Sequence, residues 1–374
     1  MAEDLPSSPR RSRPKPTVSG SSSSANGFQL QSTERAGTLV GDRYCIQGRL
    51  GHGRTSEVFL AIDQRAERRV VIKQLLAHSA MEPGLVGRFA RELGIIGRLR
   101  HPSIARVFDF ATPSGERPYV VMEALVGEPL RELLARDESL STDVALILSR
   151  HAASALLAAH QAGVVHRDIR PSNLFLLGPI GDPVGLKVVD FGMAKLNHWE
   201  GTVGRPAVRG TMEYMAPEQV MVDPMDARTD VYALGILMFH LFTGYLPFDA
   251  REGLDLLSHQ VFSTVPPASW LNEQIDPRLD EVIARATRKN PRNRYPSMAR
   301  LLDALDDVVG LRELAEPRAD SSEWEVDPDV YQPENPKGRE VAQLLAQRYQ
   351  TLAPPAHSTV PSRMPALRVA DRGR

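Results

Sequence analysis

Short apolar runs rich in β-branched residues, RVVIKQLL and PYVVMEAL among them, recur through residues 44–123 between turn-forming residues, which predicts strands. One stretch, residues 86–99, departs from this and carries helical spacing. The first part of the folded region is therefore expected to be small and sheet-rich. From about Leu130 onward the spacing turns helical. In STDVALILSRHAASALLAAHQAG, Ser141 or Thr142 supplies an N-cap, Gly163 a stop, and apolar residues cover most of the surface. Such a helix belongs at the centre of a larger helical half. Residues 231–248 form the most apolar window, but His240, Thr243, Gly244 and Pro247 interrupt it, so no run is long enough to cross roughly 30 Å of hydrocarbon. It reads as a buried helix of a soluble protein, and no membrane contact is expected.

The two ends have a different composition. MAEDLPSSPRRSRPKPTVSGSSSSANG has basic residues without a following apolar run, which argues against a secretory signal, and its Ser, Pro and Arg content predicts a disordered tail over residues 1–40. Residues 312–374 begin acidic and proline-bearing and end in APPAHSTVPSRMPALRVADRGR, again of disordered type. Between them, KGREVAQLLAQRYQTL places Val341, Leu344, Leu345, Tyr349 and Leu352 on one helical face. An amphipathic helix over residues 337–352 follows, which docks on the folded domain or binds a partner. The chain has 374 residues, more than one ordinary domain, and a bilobal unit of about 250–300 residues with tails accounts for it. Lys and Arg total 45 against 46 Asp and Glu, so nothing in the charge points to nucleic acid. The single cysteine, Cys45, cannot form an internal disulfide, which suits a reducing cytoplasm.

Six local patterns then occur in a fixed order. In GRLGHGRTSEVFLAID, Gly51 and Gly53 lie between strand-like runs, where backbone N–H groups can approach phosphate oxygens with no side chain in the way. Taken alone, the pair would also suit a plain hairpin turn. Lys73 ends the apolar run VVIK, and RFARELGIIGRLRHPSI supplies Glu92 on a helix with Phe89, Ile95, Ile96 and Leu99. Paired with Lys73, Glu92 could hold its ammonium toward phosphates. HRDIRPSN follows, then VVDFGMA, so that Asn173 and Asp190 offer hard oxygen ligands where a turn leaves a strand or loop. RGTMEYMAPEQ and DVYALG complete the series.

Together these motifs resemble the eukaryotic-type protein kinase family, and more closely its bacterial serine/threonine members, over roughly residues 44–311. The P-loop NTPases are excluded, because no G-x-x-x-x-G-K-[ST] occurs. The resemblance implies an α+β, bilobal fold, with an N-lobe at residues 44–123 and a C-lobe at 126–311. It implies ATP as co-substrate, Mg2+ as metal and serine or threonine hydroxyls of proteins as acceptors. Leu50, Gly51, Gly53, Ser56 and Val58 would fold over ATP, with Ser56 replacing the usual third glycine and Val71 the usual alanine. Met122 would be the gatekeeper before the hinge, Glu123 to Leu125. Lys73 and Glu92 would form an ion pair, Asp168 would accept or orient the substrate proton, and Asn173 and Asp190 would hold magnesium. Glu218 should pair with Arg294, Asp230 should brace the catalytic loop, and His166, Phe191 and Ile96 should stack.

The loop departs from H-R-D-x-K-P-x-N at Arg170. Arginine keeps the permanent cation that a transferring phosphoryl group requires, but it is longer and planar. An active kinase is expected on that basis, with a nucleotide-binding pseudokinase or scaffold as the alternative. Thr211 is expected to bond Asp168 and Arg170. Thr202, the single hydroxyl between Asp190 and Thr211, is expected to be an autophosphorylation site that draws Arg167 into a charge pair.

Overall fold

Alternation of apolar and polar residues in the first third of the chain produces one antiparallel sheet in the computed structural model, which describes residues 22–25, 28–53, 56–76, 85–113, 117–136, 140–177, 185–191, 212–248 and 253–312. Its strands are β1 (Ser22–Ala25), β2 (Phe28–Gln31), β3 (Leu39–Val40), β4 (Tyr44–His52), β5 (Ser56–Asp63) and β6 (Arg68–Leu75). After helix α1 (Leu85–Ile96) come β7 (Val107–Ala111) and β8 (Tyr119–Glu123). The spatial order is β1-β2-β4-β5-β6-β8-β7, with β3 paired to β4. Tyr44, Ile46, Phe59, Ile72 and Val121 fill one face of this sheet.

The register decides what the other face carries. Gly51 lies opposite Val58, Val58 opposite Lys73, and Lys73 opposite Val120. The adjacent row runs Gly48, Leu60, Val71, Met122. Side chains alternate along a strand, so both rows face the same side, and the glycine turn, Val58, Lys73, Val71 and Met122 share one surface.

The second lobe comprises β9 (Gly127–Pro129), α2 (Leu130–Ala135), α3 (Thr142–Gln161), β10 (Leu174–Leu177), β11 (Leu186–Val188), α4 (Pro217–Val220), α5 (Ala227–Thr243), α6 (Gly253–Phe262), α7 (Pro277–Ala286) and α8 (Met298–Arg312). Ser141 caps α3 by accepting the Val144 N–H at 3.3 Å. Helix α5 is buried at every position from Thr229 to Phe239, and α7 closes on it at Gly235, where a Cβ would stand 2.7 Å from Thr287 Cγ2. Among the described residues no helix is long and apolar enough to cross a membrane.

Three expectations change. The apolar window at 231–248 is helical only to Thr243, because Gly244, at φ 76°, ends α5 in the left-handed geometry that glycine adopts without strain. Of the small sheet β11-β10-β9 within the helical lobe, the strand-like run before Asp190 foreshadows only β11. Residues 1–40 are not wholly a disordered tail: β2 and β3 join the sheet, and Leu30 and Val40 are buried. The amphipathic segment 337–352 lies outside the described residues.

The ion pair expected between Glu218 and Arg294 is present and fully buried: Arg294 Nη1 and Nη2 donate to Glu218 Oε1 and Oε2, each at 2.7 Å. The guanidinium also donates to the carbonyls of Arg228, Arg288 and Lys289, so its donors are satisfied without water. Arg294→Met should cost about 3–5 kcal/mol, because it strands a buried carboxylate. Denaturant unfolding at neutral pH measures this, and a loss below about 1 kcal/mol would contradict it.

Candidate active site

Helix α5 positions the catalytic loop. Asp230, one turn into α5 and fully buried, accepts the backbone N–H of His166 at 2.8 Å on Oδ2 and that of Arg167 at 2.7 Å on Oδ1. His160 Nε2, from α3, meets Oδ2 at 2.7 Å. Burial pushes the Asp230 carboxyl up, but the hydrogen bonds and charge of His160, with those of His166 and the Arg167 amide, outweigh it and leave it below the usual carboxylate range. Both loop N–H groups thus meet an anion within the core.

That clamp holds the backbone in an unusual shape. Arg167 has φ 67° and Asp190 has φ 66°, left-handed values that cost L-residues free energy unless their surroundings enforce them. The Arg167 carbonyl accepts Gln219 Nε2 at 2.9 Å, and Gln219 Oε1 in turn accepts the Ala216 N–H at 3.0 Å, which ties the loop to the segment entering α4. His166 Nε2 faces the Val189 carbonyl at 2.9 Å, an acceptor only, so that nitrogen carries the proton, and Nδ1 accepts the Asp168 N–H at 3.2 Å. Phe191 packs edge-on to His166 at 4.6 Å between centroids, and Phe191 and Ile96 line one small cavity behind Met122. Of the expected stack, the His166–Phe191 step is in place, with Ile96 in the same buried cluster as Phe191.

Asp168 emerges from this loop with its carboxylate held on two sides. Asn173 Nδ2 donates to Asp168 Oδ2 at 2.9 Å and to its carbonyl at 2.7 Å, and Arg170 Nε lies 3.2 Å from Oδ1. Burial raises the Asp168 carboxyl above its usual value. Arg170 and the Asn173 bond pull it back in part, and Asp190 adds to the rise. Across the cleft, Lys73 Nζ donates to Asp190 Oδ2 at 2.8 Å, joining β6 to the end of the run after β11.

Of the residues expected in the site, the structure brings together Lys73, Asp168, Arg170, Asn173 and Asp190, along with the sheet face bearing Val58, Val71 and Met122. Lys73 pairs with Asp190, while the ion pair foreseen between Lys73 and Glu92 falls on a side chain outside the described residues, Glu92 of α1. Thr202 and Thr211 also fall outside them. Ser56 is buried at the start of β5, and its carbonyl accepts the Gly53 N–H at 2.8 Å, so it closes the glycine turn through its backbone. The Glu123 N–H donates to the Arg106 carbonyl at 2.9 Å, and Glu123 lies opposite Val70 at the end of the β6–β8 ladder, where the hinge begins.

Two features escaped the sequence. Lys187 Nζ and the Arg106 N–H both reach Glu123 Oε1, at 2.6 and 2.7 Å, and fasten the hinge to β11. Tyr214 donates its hydroxyl to His240 Nδ1 at 2.6 Å, fixing the segment after Thr211 to α5. Neither pair has a local spacing that would announce it.

These motifs, in this geometry, match the protein kinase domain over residues 44–304. The chain belongs to the protein kinase family. It is 33% identical over 282 residues to the serine/threonine-protein kinase PknL of Mycobacterium bovis, covering 75% of this chain and 69% of that one. It is 37% identical over 266 residues to PknB of Mycobacterium leprae, covering 70% of this chain but 42% of PknB. The crystal structure of the Mycobacterium tuberculosis PknI kinase domain superposes with a TM-score of 0.58 at 27% identity, over 73% of this chain and 98% of that one. The protein is accordingly a serine/threonine kinase with the α+β kinase fold, which implies ATP as phosphoryl donor, a divalent metal as its usual companion and protein substrates.

Burial lowers His240 from its ordinary 6.5 to about 4, so the neutral ring accepts the Tyr214 proton. A histidine depressed on folding contributes stability that is complete above the unfolded value and fades as pH falls from about 6.5 toward about 4. His240→Gln should flatten the wild-type decline in melting temperature across that window, as thermal unfolding at stepped pH will measure. An unchanged slope would place the titration elsewhere.

Proposed function

We propose that Asp168 orients and accepts the proton of a serine or threonine hydroxyl while the γ-phosphoryl of ATP transfers to it. The observation that carries this reading is the Asp168 carboxylate itself, partly buried and held between the Asn173 amide and the Arg170 guanidinium on a loop pinned by Asp230. Adenine lies against the face bearing Leu50, Val58, Val71 and Met122, with its edge on the hinge backbone through Leu125. Gly51 and Gly53 let the turn's backbone approach the phosphates with no side chain in the way, while the Gly53 N–H closes the turn on the Ser56 carbonyl. Lys73 supplies a cation to the α- and β-phosphates, and Glu92, on the neighbouring helix, steadies it when nucleotide draws it from Asp190.

Magnesium suits the donors. Asn173 uses its Nδ2 toward Asp168, which leaves Oδ1 as an acceptor, and Asp190 adds a carboxylate. Magnesium takes one or two protein oxygens and completes its shell with water and phosphate, and among the described residues no larger group of carboxylates or histidines competes for it. When bound, the ion supplies charge neutralisation along the phosphate chain.

Arg170 serves as the cation for the transferring phosphoryl group and as the counter-charge that restrains the Asp168 pKa. The working base is the carboxylate, so activity fades as pH falls through the raised Asp168 pKa. Arg170→Ala should lower turnover on the order of 10²-fold and move the acidic limb of kcat/KM to higher pH, because the charge that pulled the pKa down is gone. Arg170→Lys should keep both near wild type. A limb unmoved in the alanine variant would separate Arg170 from Asp168.

Thr202 is the proposed site of autophosphorylation, with Arg167, Lys195, Arg205 or Arg209 as the phosphate's partner. Mass spectrometry of protein prepared with ATP should find phosphate there and not in an Asp190→Ala control. Full activity without that phosphate would refute the switch. Residence in the cytoplasm remains part of this proposal.

A further inference from the structure

Leu30 lies in a stretch of solvated composition, yet it is 7% exposed and packs in one cluster with Leu60, Leu50 and Ala124. These partners come from separate walls of the nucleotide slot. Leu50 is the last residue of β4 before Gly51, Leu60 sits two positions along β5 from Val58, and Ala124 follows Glu123 in the hinge. In the sheet, β5 and β6 stand between β4 and β8, so no ladder of backbone bonds joins the Leu50 wall directly to the hinge.

The approach is built into the backbone. Gln31 pairs with Arg49, and Arg49 Nε donates to Gln31 Oε1 at 3.3 Å. Position 48 is glycine, and a Cβ there would stand 3.2 Å from both Cβ and Cδ1 of Leu30, tighter than ordinary packing allows. The strand shifts register between Ile46 and Gly48, which turns this notch toward Leu30. Beyond Leu30 the chain stays attached: Arg35 Nη1 donates to Gln74 Oε1 at 2.6 Å, its guanidinium lies 5.0 Å from the Phe59 ring centroid, and the Gly37 N–H donates to the Ile46 carbonyl at 2.8 Å.

We infer that residues 28–38 form a strap whose Leu30 is a positioning residue for ATP, holding the strand below the glycine turn against the hinge and so setting the width of the adenine slot. The inference rests on the reading that Leu50 and the hinge contact adenine. Leu30 itself acts through those neighbours by packing, so its loss widens the slot without removing a phosphate or metal contact.

The test compares steady-state kinetics of the full chain and four variants, Leu30→Ala, Leu30→Met, Leu50→Ala and Val40→Ala, at a temperature where circular dichroism shows each folded. Val40 is also buried, at 3% against 7% for Leu30, but belongs to the cluster on the opposite sheet face, so its truncation removes core packing away from the slot. Leu30→Ala should raise the KM for ATP roughly three- to tenfold with kcat and the KM for protein substrate near wild type. Leu30→Met should restore the ATP KM, and Val40→Ala should leave it unchanged. An unchanged ATP KM in Leu30→Ala while Leu50→Ala raises it would overturn the strap and leave the site reading intact. An unchanged KM in Leu50→Ala would instead overturn the site reading beneath it. A rise in Val40→Ala equal to that in Leu30→Ala would reduce Leu30 to a general stabiliser and overturn its positioning role.

Discussion

A single carboxylate, that of Asp230, fixes where the chemistry of this kinase happens. It sits on the most deeply buried helix of the larger lobe and takes two consecutive backbone N–H groups of the catalytic loop, with His160 against the same oxygen. Each of those N–H groups would cost about 1–3 kcal/mol if left buried without an acceptor, and a neutral acceptor would bind them roughly half as strongly. The left-handed backbone at Arg167 persists because both ends of its peptide are held, the N–H by Asp230 and the carbonyl by Gln219. From that kink the chain runs to Asp168 and Asn173 in a geometry that a free loop would not keep.

The buried charges around it divide into two kinds. Glu218 and Arg294 satisfy each other and several carbonyls, so their pair anchors α4 to the end of the lobe without facing a ligand. Lys73 and Asp190 are partly exposed in the cleft, at 12% and 24%, and face each other in a contact that an incoming polyphosphate and cation can divide between them. The Glu218–Arg294 charge is sealed from water, and the Lys73–Asp190 charge is left within its reach. At the hinge, the Glu123 side chain is spent on Lys187 and the Arg106 N–H and cannot compete for nucleotide.

Much of this was legible in the sequence because kinases place their chemistry in contiguous motifs. HRDIRPSN holds Asp168, Arg170 and Asn173 within eight residues, and the order of the surrounding motifs foretold Lys73, Asp190, the Glu218–Arg294 pair and the role of Asp230. What stayed hidden depends on contacts made across the fold. No periodicity signals that Lys187 meets Glu123, that Tyr214 meets His240, or that Arg167 and Asp190 adopt positive φ. Leu30 is the sharpest case, since polar composition around one apolar residue reads as disorder until a glycine notch on a neighbouring strand receives it. The contact of Lys73 with Asp190 was not foreseen either, because sequence order does not show which carboxylates come within reach of one cation.

The most direct test of the Asp230 clamp is amide hydrogen exchange at His166 and Arg167, read beside turnover, in Asp230→Asn. Asparagine keeps the shape but offers one acceptor oxygen, so one of the two N–H groups faces a donor. The clamp predicts loss of exchange protection at these two amides together with a fall in kcat of about 10²-fold or more and little change in the KM for ATP. Wild-type turnover in a variant whose His166 and Arg167 amides exchange freely would contradict it.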